Sequence, residues 1–149
     1  MSELITINTE KIIDDFDEDY LISTIKLFLE ETYVDNLNKM EEGYKNKDKS
    51  KIKVAAHTVK SSSGYLGCPY FSKQCERMEE IAKNGTWDDV EGFWKEYRTN
   101  YELLFNCAKK VYDEFTKKRE DDNAFDNIME ENLEMKIDSN LFFYFRIRV

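Results

Sequence analysis

The chain reads as an all-α protein, an antiparallel four-helix bundle with a short N-terminal helix and a C-terminal tail. Three observations lead there. Proline occurs once and glycine five times in 149 residues, too sparsely for many-turned β structure. Apolar residues recur at three- and four-residue steps through most of the chain, the period of a helix buried along one face. The breaks between these stretches are short and polar, so consecutive helices lie side by side in antiparallel order. Aromatics make up 14% of the residues, more than a disordered chain carries. The length suffices to bury a core without metals or disulfides.

The elements follow in order. A short helix is expected around Thr9–Phe16, lying across one end. Asp14, Asp15, Asp17, Glu18 and Asp19 crowd the start of the first long helix, where the helix dipole favours negative charge. They lack the spaced DxDxDG pattern of a calcium loop. Residues 19–42 place Ile22, Ile25, Leu29, Thr32, Tyr33, Asn36 and Met40 on one face. Gly43–Asp48 reads as a polar connection, with Asp48 as N-cap of a second helix, Lys49–Leu66, that Gly67 closes. Its inward face should be Ile52, Ala55, Val59, Ser62 and Leu66.

Pro69 suits the first turn of a third helix, with Phe71, Cys75, Met78 and Ala82 inward and an end at Asn84-Gly85. Thr86 and Asp89 form an acidic variant of the capping box. Val90, Trp94, Tyr97, Tyr101, Leu104, Ala108, Val111 and Phe115 then alternate steps of four and three, an a/d stripe. A free coiled coil would show the same stripe, but three other amphipathic helices on short loops favour a bundle. The bundle is assigned to residues 1–119. Residues 120–149 read as an acidic linker ending in LFFYFRIRV, nine residues that cannot span a bilayer, and no role is assigned to them.

Composition removes several functions. With 22 Lys plus Arg against 31 Asp plus Glu, the net charge is −9, opposite to the basic footprint of a nucleic-acid binder. His57 is the only histidine, which excludes His-pair metal sites and HExxH chemistry. A carboxylate-bridged metal site in a bundle fails for want of Glu-x-x-His pairs. Cys68, Cys75 and Cys107 are an odd number behind a polar N-terminus without a secretory leader, so a reducing cytoplasmic or nuclear setting is expected. No apolar run reaches the length of a transmembrane segment. A bundle that buries its own core is expected to be a monomer.

The second helix departs from this plain pattern. At about 100° per residue, His57 falls opposite the inward face. Lys53, Lys60, Ser61 and Gly64 share its outer face at spacings of minus four, plus three, plus four and plus seven. A neutral imidazole, ordinarily with a pKa of ~6.5, can attack phosphorus through a ring nitrogen at cell pH. Lys60 and Lys53 would stabilise the phosphoryl charge that results and disfavour imidazolium beforehand. Ser61 and Gly64 leave clearance for another protein to approach the ring. An exposed lone histidine is more often an ordinary surface residue; the phase, the lysines and the small neighbours are what set this one apart.

The run Ala55-Ala56-His57-Thr58-Val59-Lys60-Ser61-Ser62-Ser63-Gly64-Tyr65-Leu66-Gly67 resembles the motif of histidine-containing phosphotransfer (HPt) proteins. That pattern has His, Lys three residues on, small residues after it, and Gly at the tenth position, which Gly67 fills. Cys75-Glu76-Arg77-Met78-Glu79 is similar to the third-helix segment of single-domain fungal and plant members. The resemblance covers roughly residues 4–118, as helix order more than identity. It departs at Ser61, where the family usually has Gly.

The resemblance implies a phosphorelay intermediate of the fungal and plant type. His57 would accept a phosphoryl group from the phospho-aspartate of a receiver domain on a hybrid histidine kinase. It would then pass the group to the receiver of a response regulator. No GxxxxGK[ST] loop or kinase glycine box is present, so the chain would be a phosphoryl carrier rather than a kinase. No cofactor of its own is expected, and Mg²⁺ would come with the receiver. The family's receivers dock on exposed apolar residues of the first helices, which corresponds here to Tyr20, Thr24 and either Ile12 or Ile13. From helical phase, Tyr20, Leu27 and Val34 form an outward apolar stripe, which adds Leu27 and Val34. The alternative is a pseudo-HPt adaptor that binds receivers or other partners without being phosphorylated, and Ser61 is the residue that supports it.

Overall fold

The structure is a computed structural model that describes residues 4–139. Helix α1 spans Thr9–Asp15, and Asn8 caps it by accepting a hydrogen bond from the Lys11 backbone N–H. Asp17 caps α2, Glu18–Leu27, with its carboxylate 2.6 Å from the Tyr20 nitrogen. One turn of π-helix, Phe28–Thr32, leads without a break into α3, Tyr33–Lys45. Asp48 caps α4, Lys49–Tyr65, and α5 is Pro69–Asn84 with its proline in the first turn. Helix α6 is Trp87–Ser139. At its start Thr86 and Asp89 exchange backbone-to-side-chain hydrogen bonds of 2.9 and 3.2 Å, the reciprocal arrangement expected of a capping box. The bundle is therefore α2–α3 as one rod, α4, α5 and the first part of α6, with α1 added.

The described chain divides into two compact units after Tyr112. In the first, the core is Leu21, Ile25, Phe28, Tyr33 and Met40, then Ile52, Ala55, Ala56, Val59 and Leu66. Phe71, Cys75 and Met78 face them, with Val90, Phe93, Tyr97, Tyr101, Leu104 and Ala108 from α6. In the second unit α6 continues with Phe125, Ile128 and Met129 exposed. The LFFYFRIRV segment lies outside the described residues. No described helix is long and apolar enough to cross a membrane.

The π turn corrects the reading of the first long helix. Buried positions run Leu21, Ile25, Phe28, and then step five residues to Tyr33 before Asn36 and Met40. Ile22, Leu29 and Thr32 are only half-buried. The Tyr33 N–H bonds to the Phe28 carbonyl, an i→i+5 bond that inserts one residue without advancing the buried face. Nearby carbonyls receive side-chain donors: Asn36 Nδ2 to Thr32 at 2.9 Å and the Tyr101 hydroxyl to Tyr33 at 3.0 Å.

Other differences have similar local causes. Helix α4 packs against both α3 and α5, so its buried face widens to take in Ala56 and Ser63 in place of Ser62. The Ser63 hydroxyl donates to the Val59 carbonyl at 2.8 Å. Gly43 belongs to α3 rather than to the connection, and a Cβ there would meet Ile52 Cγ1 at 3.0 Å. In α6, Phe93 is buried while Trp94 is half-buried and stacks on Tyr44 at 4.2 Å. Asn100 is also buried and donates to Gln74 at 2.6 Å. Val111 and Phe115 are half-buried. The three cysteines are free, and burial pushes the Cys75 thiol up to about 12, which keeps it protonated and unreactive.

Candidate functional site

The site is carried by the α4–α5 hairpin. Gly67 stands at φ +68, a left-handed conformation that glycine adopts at no steric cost. Its carbonyl accepts from the Asn8 nitrogen, which ties the start of α1 to the same turn. The hairpin lays α5 along α4, with the Ser72 hydroxyl on the Lys60 carbonyl at 3.2 Å.

On the outer face of α4, the His57 side chain is 64% exposed. Across the hairpin, Glu79 of α5 approaches it with Oε1 3.0 Å from Nδ1. The other carboxylate oxygen, Oε2, is shut off from solvent and has the Lys60 ammonium at 3.2 Å. That second contact is one of charge, off the line of a good hydrogen bond. Glu79 thus joins two residues that the sequence had placed on one helix. Burial pushes its carboxyl up, but the His57 hydrogen bond and the Lys60 ammonium outweigh that and hold it below the usual carboxylate range.

The ionised state of Glu79 decides the chemistry of the ring. A carboxylate only accepts, so the proton of a neutral His57 ring sits on Nδ1. Nε2 then keeps its lone pair on the solvent side, ready to attack an electrophile. A depressed carboxyl contributes stability that is present above its ordinary value and lost as pH falls through its folded one. The clamp therefore persists throughout the neutral range. Nitrogen-15 NMR of the unphosphorylated protein is expected to show His57 mainly as the Nδ1–H tautomer, and Glu79→Ala should abolish the preference. An unchanged tautomer ratio would remove Glu79 from this role.

Lys53 is half-buried one turn before His57, and Ser61 and Gly64 are exposed on the turns after it. The site for a Cβ on Gly64 is open, with nothing within 4 Å. Glu79 also changes the charge that Lys53 and Lys60 were expected to set around His57, because it offsets that of Lys60. Sequence reasoning quoted Glu79 within the third-helix segment but gave it no part. Its one visible signal is position, a carboxylate beside the inward Met78 on the helix that follows His57.

Apolar surface lies at the C-terminal end of α4. Thr24, Leu27 and Phe28 line a shallow notch with Ser62, Tyr65 and Leu66. Leu27 is 54% exposed and Tyr65 63%, while Tyr20 is half-buried and stacks on exposed Phe16 at 4.1 Å. Ile12 is a correction: it is 6% exposed and packs beside Gly67, so it serves the core and only Ile13, half-buried, reaches the surface. Val34 is exposed, but the inserted π residue turns it roughly 100° off the Tyr20–Leu27 line. Among the described residues, no group of three His, Cys, Asp or Glu gathers as metal ligands.

Comparison with protein-family models matches the Hpt domain over residues 24–106, more than half of the chain. No curated protein and no solved structure gives a significant match. The match takes in α4 and α5 with His57, Lys60 and Glu79, and Hpt domains are helical bundles that carry phosphoryl groups rather than kinases. The chain belongs to the Hpt domain family and has its phosphotransfer role in phosphorelay.

Proposed function

We propose that His57 is the phosphoacceptor of a relay between two receiver domains. The phospho-aspartate of one receiver, on a hybrid histidine kinase, donates to Nε2, and an aspartate of a response regulator's receiver takes the group on. The observation that carries this reading is the exposed ring whose Nδ1 is occupied by an ionised Glu79. Lys60 lies close enough to swing from Glu79 to a phosphoryl oxygen, where a charge-assisted hydrogen bond stabilises it. Lys53 adds positive potential from the preceding turn. In-line geometry and Mg²⁺ belong to the docked receiver.

Docking takes place over Tyr20, Thr24, Leu27 and Ile13, with Tyr65 at the end of α4 beside Thr24 and Leu27. Ser61 and Gly64 form the low ground between this apolar flank and the ring. The occupant is a receiver domain, and a monomeric bundle in the cytoplasm or nucleus presents the face to it.

The test is incubation with a phosphorylated receiver domain, followed by acid and base treatment. Acid-labile, base-stable phosphate on the protein is expected. Absence of label, with receiver binding retained, would overturn the relay and leave the adaptor reading. A second test uses Gly64→Leu. The open surroundings let the side chain in without a clash, and replacing a helical glycine gains ~0.5–1 kcal/mol. Transfer from the receiver should fall roughly tenfold or more, equivalent to ~1.4 kcal/mol of lost docking, with no drop in Tm. Unchanged transfer would move the docking face away from Gly64.

A further inference from the structure

We propose that Glu79 holds the phosphorylated His57 ring in its Nδ1-protonated, imidazolium form, so that the phosphoryl group stays on a ready leaving group. This rests on His57 being the phosphoacceptor and adds the regulation of that site. The atoms balance without a proton entering or leaving. As the acyl phosphate of a receiver aspartate reacts, the Nε2 lone pair forms the N–P bond. The P–O bond to the aspartyl oxygen breaks, and its electron pair returns to the carboxylate. The ring becomes a cation that still carries its Nδ1 proton, 3.0 Å from Glu79 Oε1. On hand-over the N–P bond breaks toward Nε2, and the ring departs as neutral imidazole.

Expelling a neutral ring is far easier than expelling an imidazolide anion, so retention of the Nδ1 proton controls how fast the group moves on. Electrostatics around the ring supports the assignment. The charged groups on its own helix nearest the ring are Lys53 and Lys60, with Lys49 and Lys51 back in the first turn. On α5, Glu79 contacts the ring, with Glu76 and Lys83 one turn to either side of it. On α3, Glu42 is engaged with Lys51, more than a turn before His57. Lys39 lines a separate groove with Lys51 and Val54. When Lys60 moves to the phosphoryl oxygens, the Glu79 carboxylate loses its ammonium partner, and the Nδ1–H is the cationic donor left within hydrogen-bonding distance. A part-buried carboxylate in that position strongly favours a proton on the group it faces.

The experiment uses the full chain phosphorylated with phosphoramidate, a small donor that needs no receiver, and follows the ring by phosphorus and nitrogen NMR against pH. Glu79→Gln keeps the hydrogen-bonding shape and removes the charge; Glu79→Ala removes both. The wild-type phosphorylated ring is expected to keep its Nδ1 proton to a pH about one unit higher than either variant. At neutral pH, phosphohistidine in both variants should last roughly tenfold longer. A merely structural Glu79 would give a Gln variant with wild-type titration and lifetime. Equal midpoints and lifetimes in all three proteins overturn the proposal while leaving the relay standing. Failure of wild-type His57 to take any phosphate overturns both.

Discussion

The His57→Gln protein is expected to take no phosphoryl group from a receiver, while its helicity and thermal stability stay close to those of the wild type. The loss is complete because the chain has no second histidine, and phosphate on a hydroxyl would survive acid. Stability is spared because the ring is 64% exposed, and surface changes away from the core cost within ~0.5–1 kcal/mol. Glutamine also offers Glu79 a neutral donor in the same place. Label, circular dichroism and melting are measured on the same preparation, so unfolding cannot imitate the loss. Equal label on wild type and variant would show that the phosphate sits elsewhere.

Tyr101→Ala is expected to be the most damaging single change to the bundle. The ring is fully buried and lies 4.6 Å from Tyr33, 5.8 Å from Phe71 and 6.3 Å from Phe28. Removing a buried aromatic ring costs about 3–5 kcal/mol, a large part of a domain's usual 5–15 kcal/mol. Tyr101→Phe separates the ring from its hydroxyl, which caps the Tyr33 carbonyl beside the π turn. That carbonyl keeps its backbone bond within α3, so losing the second donor should cost about 0.5–1.5 kcal/mol. Denaturant melts of the two variants measure both quantities, and hydrogen exchange at Tyr33 reports on the turn itself. A Phe variant as stable as the wild type would show that the π turn does not depend on Tyr101.

Both predictions draw on features that were unequally visible in the sequence. The caps at Asp48 and Thr86, the turn at Gly67 and the outward phase of His57 were legible because each depends on a few neighbouring residues. The helix order was legible because the breaks are short and the apolar steps regular. The π turn was hidden from a reading that assumes one constant helical period. Leu21 and Ile22, or Phe28 and Leu29, are equally apolar neighbours, and only packing selects between them. The choice between Ile12 and Ile13 stayed open because a short helix with two adjacent isoleucines does not reveal which one turns inward. Glu79 escaped notice because its meaning comes from a residue 22 positions away, across a turn that brings the two helices together.

The hairpin that brings them together has a consequence for how such a protein can diversify. His57, Lys60 and Glu79 all lie within residues 49–84, whereas Tyr20, Thr24 and Leu27 belong to a separate helix. Reactivity and recognition are thus written on different stretches of chain. Substitutions along α2 can retune the choice of partner while the reacting atoms keep their distances. Changes confined to α5 can instead alter how long the cargo is held without redrawing the surface that a partner reads.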